Sequence, residues 1–138
     1  MRRVIYPGRC GPEGILVEDV SNLEPNPDEV LIEVHRAGIN FADLMMRQGL
    51  YKAAPSFPFT PGYEVSGIVL DAPDGHSGSP DPFSDQGSEA DMIRTGDRVV
   101  AMTRFGGWSS QVSVPPEQVR RLPDKVSFEA AAAFPVTY

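Results

Sequence analysis

The sequence predicts a strand-rich α+β domain, on three observations. Val30, Ile32 and Val34 alternate with Leu31, Glu33 and His35, the period-two pattern of a strand with one buried face. Short apolar runs at Arg3–Tyr6, Gly14–Val20, Tyr63–Leu70, Asp97–Met102 and Trp108–Val114 are set apart by turn-forming residues, as short strands are. Helical spacing is confined to two places, and 14 Pro with 13 Gly in 138 residues interrupt the backbone too often for long helices.

Taken in chain order, the runs Arg3–Tyr6 and Gly14–Val20 flank a turn cluster from Pro7 to Pro12 and suit a hairpin. The turn Pro25–Asp28 leads into the strand Glu29–Ala37. From Asn40 the period changes: Phe41, Leu44, Met45 and Gln48 fall at helical spacing, with Asn40 placed as cap and Gly49 as stop. A short helix is expected at Phe41–Gln48. Pro55, Pro58 and Pro61 make Ala54–Gly62 a loop shaped largely by its own residues. Gly106 and Gly107 read as a turn into a strand whose Trp108 packs the core. Ser127 caps a helix start rich in Ala, expected to run on through the last residues.

Residues 71–95 stand apart. They carry three Pro, three Gly and four Ser with almost no apolar content, which predicts a solvated, disordered acidic insertion. Between Asp71 and Asp91 lie six acids, Asp71, Asp74, Asp81, Asp85, Glu89 and Asp91, and no Lys or Arg, so the stretch 71–91 supplies six of the net seven negative charges.

Composition excludes several classes of function. A formal charge of −7 lacks the basic face that a nucleic-acid binder needs, and Arg120-Arg121 is too short to supply one. Cys10 is the only cysteine, so neither an internal disulfide nor a cysteine-rich zinc lobe is available, and a reducing, cytoplasmic setting is expected. No apolar run is long enough for a signal peptide or a membrane span. The length suits one domain.

Four segments in order carry a resemblance: Ala37-Gly-Ile-Asn40-Phe-Ala-Asp43 with Arg47, Gly49 and Tyr51; Pro61-Gly62-Tyr63-Glu64 with Gly67; Gly96-Asp97-Arg98-Val99; and the ending Leu122-Pro-Asp with Val126-Ser-Phe-Glu-Ala-Ala-Ala. Together they resemble the GroES-like domain of medium-chain dehydrogenase/reductases. The resemblance implies a partly open barrel of short strands with one or two short helices. It places such a domain at residues 1–126, and makes 127–138 the start of a helix leading to a nucleotide-binding domain that is absent from this chain.

In that superfamily, zinc alcohol dehydrogenases place Cys at the position of Asn40 and His at the position of Tyr63. Amide and phenol do not replace thiolate and imidazole toward zinc, so no metal is expected. The run Asn40 to Tyr51 is instead similar to zinc-independent quinone oxidoreductases, and most of all to the vesicle amine transport protein homologues of the synaptic vesicle membrane group. This similarity implies NADPH, a small-molecule quinone or conjugated enone as acceptor, and hydride transfer between them. It also leaves room for a homodimer and for peripheral association with vesicle or mitochondrial membranes.

Reducing an enone or quinone builds negative charge on a conjugated oxygen, which preorganised donors can stabilise without a Lewis acid. By position, Asn40 and Tyr51 are the candidate donors toward the acceptor oxygen or the nicotinamide edge. Asp43 and Glu64 are candidate supports behind them. Each has a plainer reading: Asn40 as a helix cap, Tyr51 as a half-buried aromatic, Asp43 as an i,i+4 partner of Arg47, and Glu64 as half of a structural ion pair. A second reading of the whole is a vesicle- or mitochondria-associated interaction protein that keeps the fold with little activity.

Positioning nicotinamide against acceptor supplies much of the rate in such chemistry, and no GxGxxG pattern occurs here. Residues 1–138 alone are therefore expected to be inactive; detectable NADPH oxidation with a quinone by this chain in an absorbance assay would contradict that.

Overall fold

The computed structural model describes residues 1–73 and 92–136. In chain order they form β1 (Arg2–Ile5), β2 (Leu16–Asp19), β3 (Val30–Ala37), α1 (Phe41–Arg47), β4 (Glu64–Asp71), β5 (Arg98–Met102), β6 (Gln111–Val114), β7 (Val119–Arg121) and α2 (Phe128–Ala132). Short 3-10 turns occupy Pro12–Gly14 and Pro116–Gln118. The fold is α+β and mainly β, as the alternation and the turn residues predict, and the strands form no closed barrel.

β1 and β2 pair as an antiparallel hairpin, with Arg2 opposite Asp19 and Ile5 opposite Leu16. The other five strands make one antiparallel sheet in the order β6-β3-β4-β5-β7. The hairpin is tied to this sheet through the approach to β6: Val4 N donates to Trp108 O at 2.8 Å and Ser110 N to Arg2 O at 2.8 Å.

The inner sheet face is apolar for the reason its sequence period gives. Val30, Ile32, Val65, Val69, Val99, Ala101, Val112, Val114 and Val119 pack together with Ile93. Burial of each such side chain is worth about 1.5–3 kcal/mol. Leu31, on the opposite register, is buried too, so β3 is covered on both faces at its start. A second cluster is aromatic: Tyr6, Met46 and Phe59 are buried and packed by Ile15, Ala54, Phe57, Tyr63, Phe105 and Trp108. Tyr6 and Phe59 exchange backbone hydrogen bonds at 2.9 and 3.2 Å, which fastens the proline-rich loop to the hairpin.

α1 is placed as its spacing predicts. It starts after Asn40 in extended backbone and stops at Gly49, whose φ of +70° suits glycine. α2 is capped by Ser127, whose Oγ accepts from Ala130 N at 3.2 Å. It is shorter than expected: it ends at Ala132, and the chain turns at 133–136, where Pro135 leaves no backbone donor. Phe128 anchors α2 on the sheet, with the Arg98 guanidinium 4.7 Å over its ring and the His35 ring 4.7 Å away.

Two expectations are corrected, and one strand is added. The strand expected from Trp108 begins only at Gln111, because Trp108 turns inward to the aromatic cluster. β7 carries two arginines in three residues and gives no strand signal in the sequence, yet it closes one sheet edge on β5. The expected insertion at 71–95 is narrower at its described margins: Asp71 completes β4, Ala72 packs on the core and Ile93 is buried. Its central part, 74–91, with His76, lies outside the described residues.

The pairing of β3 with β4 leaves no space at Gly67, where a Cβ would stand 1.9 Å from Glu33 O. Gly67→Ala is expected to destabilise the domain by roughly 1–3 kcal/mol, read as a lower urea midpoint; an unchanged midpoint would show that β3 and β4 can separate freely there.

Candidate functional site

Asn40 stands where β3 has ended and α1 begins, so its backbone is fixed by a helix start. Its N–H donates to Asp43 Oδ2 at 2.8 Å and its carbonyl accepts from Asp43 N at 3.0 Å, the reciprocal closure of a capped first turn. The side chain does something else. Asn40 Nδ2 donates to Glu64 Oε1 at 2.8 Å, so the residue is both a helix cap by position and one end of a polar chain.

Asp43 is fully buried. Besides Asn40 it receives Gly62 N on Oδ1 at 3.1 Å, which joins α1 to the end of the proline-rich loop. The i,i+4 ion pair with Arg47 does not form; the carboxylate turns to backbone donors instead. Burial, with a smaller contribution from the Glu64 charge, raises the Asp43 pKa above 3.8, against the two N–H donors that favour the anion.

Glu64, also buried, makes no ion pair among the described residues. Its second oxygen, Oε2, accepts from Val136 N at 2.9 Å, so the turn after α2 and the Asn40 carboxamide meet on one carboxylate. Gly38 is needed beside it: a Cβ there would lie 2.1 Å from Glu64 Oε1. Trp108 Nε1 donates to Gly38 O at 2.9 Å, which holds that glycine in place from the other side.

Tyr51 belongs to an adjoining group. Its ring meets that of Tyr63 edge-on at 6.5 Å, and Tyr63 in turn lies 5.8 Å from Phe105. With Ala53, Pro55 and Arg104 these rings line an open cleft of about 650 Å3, and Tyr51 is 37% exposed to it. Burial, and then the neighbouring Tyr51, push the Tyr63 pKa up to about 12. Both clusters are joined by the Tyr63–Glu64 peptide and by Asp43, whose charge is felt at Tyr63.

The structure thus brings Asn40, Asp43 and Glu64 into one hydrogen-bonded network and sets Tyr51 beside it with Tyr63. Phe105 and Arg104 were not legible as site residues, because they stand more than 40 positions after Tyr63 in a run with no periodic signal. The backbone of Val136 is the other addition, and no side-chain pattern announces a backbone donor.

The donor set does not fit zinc. An amide that donates to a carboxylate and a phenol held protonated offer none of the thiolate or imidazole character that zinc takes, and no three His, Cys, Asp or Glu converge among the described residues. No helix among the described residues is long and apolar enough to cross a membrane.

Comparison with known proteins is consistent with this geometry. The family model of the alcohol dehydrogenase GroES-like domain matches residues 26–124. Quinone oxidoreductase-like protein 2 of Bos taurus is 35% identical over 124 residues, covering 90% of this chain and 32% of that protein. The synaptic vesicle membrane protein VAT-1 homolog of Rattus norvegicus is 40% identical over 114 residues, covering 83% and 25%. Among solved structures, the human VAT-1 homolog-like protein superposes with a TM-score of 0.82 at 36% identity, over 98% of this chain and 38% of that one. The Escherichia coli quinone oxidoreductase complexed with NADPH gives 0.79 at 31%, over 97% and 37%. The chain spans about a quarter to a third of the length of these curated relatives.

Two expectations follow from the network. Gly38→Ala should drive Glu64 off Asn40 and lower stability by roughly 1–3 kcal/mol; a variant crystal structure that retained the 2.8 Å contact would refute it. Because the folded Asp43 carboxyl has a raised pKa, the folded state takes up its proton first. The stability it contributes is therefore present below 3.8 and is lost as pH rises through the raised folded value. Urea midpoints of wild type relative to Asp43→Asn should shift toward wild type as pH falls through that interval, and a shift the other way would overturn the assignment.

Proposed function

Because the chain belongs to the alcohol dehydrogenase GroES-like domain family, we propose that it is the acceptor-side domain of a zinc-independent oxidoreductase that reduces quinones or conjugated enones with NADPH. The observation that carries this is the replacement of metal ligands by neutral donors at a built site: the Asn40 carboxamide oriented by Glu64, and the Tyr51 and Tyr63 phenols at a cleft. Similarity to proteins named as quinone oxidoreductases, two of them solved with NADPH at 31–32% identity, supports the same reading.

The chain's residues fit one end of NADPH. Asn40 and Tyr51 are donors suited to a carboxamide edge or a carbonyl oxygen, whereas the sequence holds no glycine-rich loop for a pyrophosphate. When bound, the cofactor supplies the hydride. Tyr51 would direct its hydroxyl toward the acceptor oxygen, where negative charge develops and a preorganised donor stabilises it. Asn40 would bind and orient, held by Glu64 and Asp43, so these two act through it. Residues 1–126 are the domain that does this, and the segment from Ser127 leads to the nucleotide-binding part.

The similarity to synaptic vesicle membrane proteins, at up to 40% identity, favours a second reading: an interaction protein, cytoplasmic and peripheral to vesicle or mitochondrial membranes, that keeps the fold with little activity. A homodimer fits either.

One assay separates the two. The full-length gene product is expected to bind NADPH and consume it with a quinone, and Tyr51→Phe to lower kcat/KM about 10- to 100-fold. Neither binding nor turnover in the full-length protein would remove the oxidoreductase and leave the second reading.

A further inference from the structure

Arg104 stands at the cleft with nothing to hold. It is exposed and makes no ion pair or hydrogen bond among the described residues, although the chain carries a net charge of −7. Of the cleft's lining residues Tyr51, Ala53, Pro55, Tyr63, Arg104 and Phe105, it is the only charged one.

Its backbone is not loose. Thr103 N donates to Tyr63 O at 2.6 Å, Thr103 Oγ1 to Gly62 O at 2.6 Å, and Gly106 N to Thr60 O at 2.9 Å. The residues on either side are therefore clamped to the segment that carries Tyr63. Phe105 is fixed from behind by Phe59, at 6.1 Å and 73°, and Phe59 by Tyr6, at 5.7 Å and 76°. A long cationic side chain is thus presented at the edge of a rigid aromatic wall. The Arg104 charge also reaches the Tyr63 phenol, where it favours ionisation against burial.

Aromatic walls take flat conjugated rings, and a cleft of this size falls in the range of small-molecule sites, roughly 300–1,000 Å3. A guanidinium offers a planar fork of donors that matches a carboxylate or sulfonate. We infer that the cleft is an acceptor subsite for a planar conjugated carbonyl compound bearing an anionic substituent, with Arg104 as the residue that selects the anion. The inference rests on the quinone- or enone-reducing reading for the word acceptor. The binding preference itself stands on Arg104, Tyr63 and Phe105.

A cofactor phosphate is the other source of an anion, so the test includes a phosphate arm. Amide NMR titrations of the 138-residue chain would compare anthraquinone-2-sulfonate, neutral 2-(hydroxymethyl)anthraquinone and inorganic pyrophosphate. The fused quinones have no free position for addition of the Cys10 thiol. The sulfonate is expected to shift the amides of Tyr63, Arg104 and Phe105 and to bind at least about fivefold more tightly than the neutral compound. The preference should fall to within about twofold in Arg104→Gln and narrow as salt rises from about 20 to about 300 mM. Equal affinity for the two quinones, a preference that survives Arg104→Gln, or pyrophosphate binding as tightly as the sulfonate would each overturn the inference. Since no cofactor is present, selective binding together with a full-length protein that fails to oxidise NADPH would keep the subsite and remove the oxidoreductase.

Discussion

The buried carboxylate of Asp43 is the joint on which the site depends. It takes one backbone N–H from Asn40, at the start of α1, and another from Gly62, at the end of the proline-rich loop. Hydrogen bonds to a charged group are worth about 1.5–3 kcal/mol each, and here one of them also satisfies the buried Gly62 N–H, which would otherwise lack a partner. The arrangement is costly in its own way, since burial works against the anion. It persists because both donors are backbone groups whose positions the helix start and the loop already determine.

From that joint the loop's other contacts follow. Gly62 has a φ of +106°, a conformation that favours glycine, and its carbonyl receives both Thr103 Oγ1 and Gly107 N. The strand exit that carries Arg104 and Phe105 is thereby set beside Tyr63, and the rings from Tyr6 through Phe59 and Phe105 to Tyr63 become one contiguous layer. Such a layer resists collapse, because each ring is braced edge-on or tilted by the next. An open cleft can then keep its shape.

Glu64 gives the same region a second connection, to the turn after α2. Its two oxygens serve Asn40 and Val136 separately, so the orientation of the Asn40 carboxamide and the path of the chain beyond α2 are set by one side chain. Under the proposed activity this is where the acceptor side and the nucleotide side of the molecule would feel each other, through a carboxylate with no cation to neutralise it among the described residues.

By itself the sequence determined the elements and their caps. The alternation at Val30–Val34, the Asn40 start and Gly49 stop of α1, and the prolines of the 54–62 loop all act over a few neighbouring residues, and local steric and hydrogen-bonding rules decide them. It also determined the identity of the donors, an amide at Asn40 and phenols at Tyr51 and Tyr63. What only the tertiary structure decided is which of these residues meet. Asn40 and Glu64 are 24 positions apart and Glu64 and Val136 are 72 apart; Arg104 comes to the cleft through β5 and its pairing with β4. Contacts of that separation depend on sheet register and on the packing of aromatic rings from four different segments, and neither leaves a periodic trace along the chain. The same reason hid β7 and Ile93: three residues, or one, can be held in a core by strands that come from elsewhere.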